Sequence, residues 1–118
     1  MLVSREAFDE MIARELDALP PEFAGKMENV EVASEDWPSE EEMRAMGLSR
    51  EEVLAGLYVG VPLDRRRTGY SSLPDRITLY RAVICAGARS RTEIRRRIRE
   101  TLLHEIGHHF GLGEEDLP

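Results

Sequence analysis

The stretch "SRTEIRRRIRETLLHEIGHHFGLGEED", residues 90–116, decides how this chain is read. At about 100° per residue, Ile94, Ile98, Leu102, Leu103, Ile106 and Phe110 spread over roughly half of a helical cylinder. Ser90 stands three residues before Glu93, the spacing of a capping box, so a helix is expected from Ser90 to about Phe110. Gly111 follows where the apolar pattern fails, and glycine there takes the left-handed conformation that ends a helix and reverses the chain. His104 and His108 fall together beside the apolar arc, with Glu105 at the boundary between them. A helix that buries one side and displays His-Glu-His along its edge suits the wall of a cleft.

Side chains four apart on a helix stand about 5–6 Å from one another at the β-carbons. Two imidazoles at that spacing reach one ion at about 2.0–2.1 Å, and neutral imidazole favours zinc. Glu105 projects to the side of the pair, where it can hold a water instead of binding the ion. This is the HExxH arrangement of two metal ligands and a general base, which chance places in roughly a few chains per thousand of this length. The residues just after His108 offer candidates for a third ligand. A reversal at Gly111 swings Glu114 back toward the ion, with Glu115 and Asp116 as competing carboxylates. His109 points about 100° away from His108, which suits a packed residue better than a ligand.

Outward from this helix, the rest of the chain reads as one α+β domain over residues 1–118. Residues 4–18 form an expected helix capped by Ser4, with Phe8, Met11, Ile12, Leu16 and Leu19 on one face. Pro20 and Pro21 end it. Val30 and Val32 alternate with charged residues in "MENVEVASED", a half-buried strand, and Trp37-Pro38 opens a loop. "SEEE" at 39–42 and "SREE" at 49–52 are two further capping boxes that open short helices separated by Gly47. "GLYVGVPL", 56–63, is a second strand, "DRRRTGYSSLPD", 64–75, a loop or hairpin return, and "RITLYRAVI", 76–84, a third strand whose alternation blurs at its end.

Composition sets the outer bounds. Hydrophobic residues make up 42% and charged residues 33%, as in a globular protein. No apolar run approaches the roughly 18–20 residues of a membrane span, and the charged N-terminus is not a secretory signal. The single cysteine, Cys85, lies in apolar "AVICAG", which marks it as a core residue; a lone thiol suits a reducing cytoplasm. The net charge of −7 is unevenly spread: residues 1–63 hold fifteen acids and five bases, whereas residues 64–99 hold three acids and eleven bases. Arg65, Arg66 and Arg67, with Arg89, Arg91, Arg95, Arg96, Arg97 and Arg99, raise the question of nucleic acid. The helical arginines scatter around the cylinder, aromatic residues are sparse and the domain is acidic. Pairing with the acidic N-terminal half is therefore expected instead, while Arg65–Arg67 suit the rim of a cleft for acidic peptides. The sequence carries no signature of an oligomeric state.

The closing motif, H-E-x-x-H-x-x-G-x-x-E, resembles the zincins and, within them, the metzincins, which carry a histidine in place of the last glutamate. "GLYVGVPL" before a basic loop, "RITLYR" as a strand and "RETLLHEIGHHFG" near the end resemble more closely the minimal bacterial zincin-like proteins. These are short domains described as zinc metallopeptidases, with a carboxylate as third ligand. The likeness covers the C-terminal half well and the N-terminal half in layout. It implies a minimal zincin-like fold, with a small mixed sheet packed on a C-terminal HExxH helix and an N-terminal helix. It implies His104, His108 and Glu114 as ligands of one Zn2+, Glu105 as catalytic base, and a peptide or protein substrate. It also implies that "RITLYR" is the edge strand that pairs with extended substrate. The chain departs from metzincins in lacking a methionine after the motif: all five methionines lie at or before position 46.

Three protein ligands leave a fourth position for water, whose pKa zinc lowers from about 15.7 to about 7. Glu105 would take its proton and pass it to the leaving amine. Tyr70, Tyr80 and Arg97 are, by type, candidates to stabilise the oxyanion. The expected function is zinc-dependent hydrolysis of peptide bonds. The alternatives are a zinc-binding regulatory or interaction protein with little proteolytic activity, and a metal-dependent nuclease that uses the arginines.

Overall fold

A computed structural model describes residues 1–48, 54–60 and 74–109, with the side chains of Lys26, His108 and His109 outside the described set. The first helix, α1 (Arg5–Asp17), starts where expected: the Ser4 hydroxyl accepts the Ala7 N–H at 3.1 Å. Its apolar stripe buries Phe8, Met11 and Ile12, and Leu19 is buried just beyond its end. The proline pair does more than stop this helix. Pro20 caps and Pro21 opens a second one, α2 (Pro21–Lys26), which the sequence pattern does not announce. Proline suits the first turn, because its missing N–H lacks a helical partner there anyway. Phe23 anchors α2 in the core at 1% exposure.

Strand β1 (Val30–Glu35) follows, then the exposed Trp37 and the short helix α3 (Glu40–Ala45). The Ser39–Glu42 capping box is complete, with bonds of 2.9 and 2.8 Å in the two directions. Gly47, at φ +72°, ends α3 in a Schellman turn, in which Leu48 N–H reaches Met43 C=O at 2.8 Å. The box at 49–52 lies outside the described residues.

Strands β2 (Gly56–Val59) and β3 (Asp75–Tyr80) complete a three-stranded sheet in the order β1-β3-β2. β3 runs parallel to β1, pairing Val30 with Asp75 and Glu35 with Tyr80, and antiparallel to β2, pairing Gly56 with Leu79. The centre falls to β3 because Ile77, Thr78, Leu79 and Tyr80 are buried on both faces. This corrects the expected edge position of "RITLYR". The strand is also shorter than expected. After Tyr80 the chain forms helix α4 (Arg81–Cys85), where a strand to residue 84 was expected. The pairing partners end at Glu35 and Gly56, and Arg81 and Ala82 turn instead onto Asp36. Cys85 is buried, as its apolar setting predicts.

The last helix, α5 (Arg91–His109), packs on α1, β2 and β3. Ser90 accepts the Glu93 N–H at 3.1 Å, while Glu93 returns its carboxylate to Arg89 N–H rather than to Ser90. Ile94, Ile98, Leu102 and Ile106 have no exposed surface and meet Phe8, Ile12, Ile77 and Leu79 in one core. Burial of each such side chain contributes about 1.5–3 kcal/mol, so the helix is held firmly by one face. The result is an α+β fold, a mixed sheet with α1 and α5 on it. Among the described residues no helix is long and apolar enough to cross a membrane.

Candidate metal and hydrolytic site

The motif occupies the last described turns of α5. The backbone is helical from Arg91 to His109, so His104 and His108 sit one turn apart on an unbroken helix. With Ile98, Leu102 and Ile106 sunk in the core, the neighbouring edge of α5 is fixed in rotation. That edge carries Glu100, Thr101, His104 and Glu105, which form one wall of a groove of about 380 Å³. Leu54, Ala55 and Gly56, at the start of β2, form the other wall. His104 is exposed and Glu105 half-buried.

Gly56 explains why β2 lies so close to the helix. A β-carbon there would stand 2.7 Å from Thr101 Cγ2, 3.2 Å from Leu79 Cδ2 and 3.3 Å from the Thr78 carbonyl oxygen. Thr101 is itself held in place, since its hydroxyl donates to the Arg97 carbonyl at 2.7 Å. The glycine that opens "GLYVGVPL" is thus a close-approach glycine, a strand-end signal that sequence reading passed over.

Of the predicted site residues, His104 and Glu105 share this groove. The side chain of His108, and Glu114 with its competitors Glu115 and Asp116, lie outside the described residues, as do Phe110 and Gly111. Among the described residues no three His, Cys, Asp or Glu side chains converge as a metal cluster. Among the described side chains, the His104 imidazole on the groove wall with the Glu105 carboxylate beside it is a donor set that suits zinc. β2, paired among the described residues only with β3, is the strand that borders the groove.

Two of the candidate oxyanion donors serve the fold instead. Tyr80 has no exposed surface and donates its hydroxyl to Glu42 at 2.6 Å, tying α3 to the sheet. Burial and the adjacent Glu42 carboxylate push its pKa up. Burial alone would raise Glu42, but bonds from the Ser39 N–H and the Tyr80 hydroxyl outweigh it and hold Glu42 below the usual carboxylate range. Arg97 donates to the carbonyls of Ile84 and Ala86 at 2.9 and 2.7 Å, closing the end of α4, and to Glu93 at 2.9 Å. Tyr70 and Arg65–Arg67 lie outside the described residues.

Among the described members of the arginine cluster, no ion pair to the acidic N-terminal half is seen; Arg81, outside that cluster, makes one. Arg81 bonds Asp36 at 2.9 Å, and that bond holds Asp36 below the usual carboxylate range. Arg97 and Arg96 pair instead within α5, with Glu93 and Glu100.

Comparison with known proteins agrees with this architecture. A solved structure, a conserved hypothetical protein from Thermo thermophilus, superposes with a TM-score of 0.63 at 25% identity. The match covers 92% of this chain and 94% of that one. No curated protein matches the chain. The model of the zincin-like metallopeptidase family matches residues 27–118, from just before β1 through the motif helix to the last residue. By that match over most of its length, the chain belongs to the zincin-like metallopeptidase family.

Proposed function

We propose that this chain is a zinc-dependent peptidase of one domain, in which His104, His108 and Glu114 hold the metal and Glu105 is the general base. The observation that carries this reading is the shared groove: His104 and Glu105 stand on one wall, on a helix continuous through His108, opposite the start of β2. The motif H-E-x-x-H-x-x-G-x-x-E then relates the site to the metzincins, with glutamate in place of their third histidine. Zinc, when bound, would supply Lewis acidity and a water acidic enough to attack at neutral pH.

The chain's own residues do the rest. Glu105 accepts the proton of the attacking water and returns it to the leaving amine, since a carboxylate in a half-buried wall is suited to both transfers. β2 offers main-chain groups to an extended peptide, which asks little of its sequence. The buried core face of α5 keeps His104 and Glu105 in fixed relation while the substrate enters. The lone buried Cys85 suits a reducing cytoplasm.

Zinc-loaded wild type and Glu105→Ala, incubated with a broad peptide library and read by mass spectrometry, test this reading. The variant should keep its zinc and lose cleavage. Equal cleavage by both would refute Glu105 as the base. Full zinc occupancy with no cleavage by wild type would replace the peptidase with a zinc-binding regulatory protein.

A further inference from the structure

The groove beside His104 has a chemistry that peptide hydrolysis alone does not require. Among the described residues its lining holds two carboxylates, Glu100 and Glu105, and the His104 imidazole, with no lysine or arginine. Glu100 lies four residues before His104, so it stands one helical turn along the same wall. Its carboxylate is 68% exposed and meets Arg96 Nε only at 3.9 Å, both groups in solvent. Exposed i,i+4 pairs of this kind contribute little, so Glu100 remains available to a stronger cation. The facing wall is aliphatic, with Leu54 and Ala55.

An apolar surface facing a carboxylate matches the two halves of a lysine or arginine side chain. The methylene stem covers the apolar wall and the charged head reaches the carboxylate. An acidic side chain in the same place meets like charge from Glu100. The geometry points to Glu100 as a specificity-determining residue that selects peptides with lysine or arginine beside the scissile bond. This rests on the peptidase reading.

The test uses fluorogenic peptide pairs that differ only in lysine against norleucine, placed in turn on each side of the scissile bond. With the zinc-loaded full chain, the lysine peptide should be preferred about fivefold in kcat/KM, mostly through KM, and less at high salt. Glu100→Gln should bring the ratio to about one. An unchanged ratio in Glu100→Gln overturns the assignment. Calorimetric binding of the same peptides to Glu105→Gln and to Glu100→Gln/Glu105→Gln reads Glu100 without turnover. If wild type cleaves neither peptide, the peptidase reading fails. Glu100 still stands if lysine-peptide binding is lost only in the double variant, and falls if the two variants bind alike.

Discussion

Gly56→Ala is the substitution whose effect the structure dictates most sharply. The new methyl would sit 2.7 Å from Thr101 Cγ2, about 1 Å inside the usual carbon–carbon separation of about 3.5–4.0 Å. It would also press on Leu79 Cδ2 at 3.2 Å and on the Thr78 carbonyl oxygen at 3.3 Å. Overpacking of this kind costs about 1–3 kcal/mol. The φ of Gly56 lies outside the left-handed region, so alanine also restricts the unfolded chain, a gain of about 0.4–1 kcal/mol. The net expectation is a loss of about 1–2 kcal/mol, or a Tm lower by roughly 4–12 °C. Thr101→Ser removes the methyl that is struck and keeps the hydroxyl that bonds the Arg97 carbonyl at 2.7 Å. In that background Gly56→Ala should recover at least half of its cost, giving a coupling of about 0.5–1 kcal/mol in a double-mutant cycle. Urea denaturation of the four proteins measures it. Additivity of the two substitutions within about 0.3 kcal/mol would refute the close approach as the device that seats β2 against α5.

Three further outcomes follow from the same contacts. Tyr80→Phe removes a buried donor to a carboxylate and should cost about 1.5–3 kcal/mol in denaturation while leaving kcat/KM unchanged; lost turnover in a stable variant would return Tyr80 to the chemistry. Folding lowers the pKa of Glu42 below its ordinary 4.5, so its stabilisation is complete above that value and is lost as pH falls through the lower folded one. Thermal melts of wild type and Glu42→Gln should therefore differ at pH 7 and draw together as pH falls below 4.5, and a difference that does not shrink on acidification would contradict the link. Arg97→Met should loosen the end of α4, seen as faster amide exchange at Ala86 and Ala88, with zinc affinity unaltered.

The motif helix is the most legible part of the chain because periodicity, capping and the metal spacing coincide in it. Ile94, Ile98, Leu102 and Ile106 are buried as their spacing predicts, and Ser4 and Ser39 cap as expected. The errors fall where long-range pairing overrides local pattern. "RITLYRAVI" alternates at its start and turns apolar at its end, and periodicity alone cannot separate a central strand from an edge strand or from a short helix that follows it. Only the lengths of the partner strands stop β3 at Tyr80. Pro20-Pro21 reads as a stop, although proline is equally a helix opener. Tyr80 and Arg97 have suitable chemistry, but their partners, Glu42 and the carbonyls of α4, come from parts of the chain that sequence distance conceals. Gly56 and Glu100 carry no motif, and their relevance emerges only when β2 is laid against α5.

We propose above all that the histidines of α5 and a carboxylate just beyond them hold one zinc ion. Zinc content measured on the full chain after dialysis, beside His104→Ala and His108→Ala, tests it most directly. One zinc per wild-type chain, with occupancy lost in both folded variants, is the predicted result. A well-folded wild type that takes up no zinc, or histidine variants that retain it in full, would contradict the account.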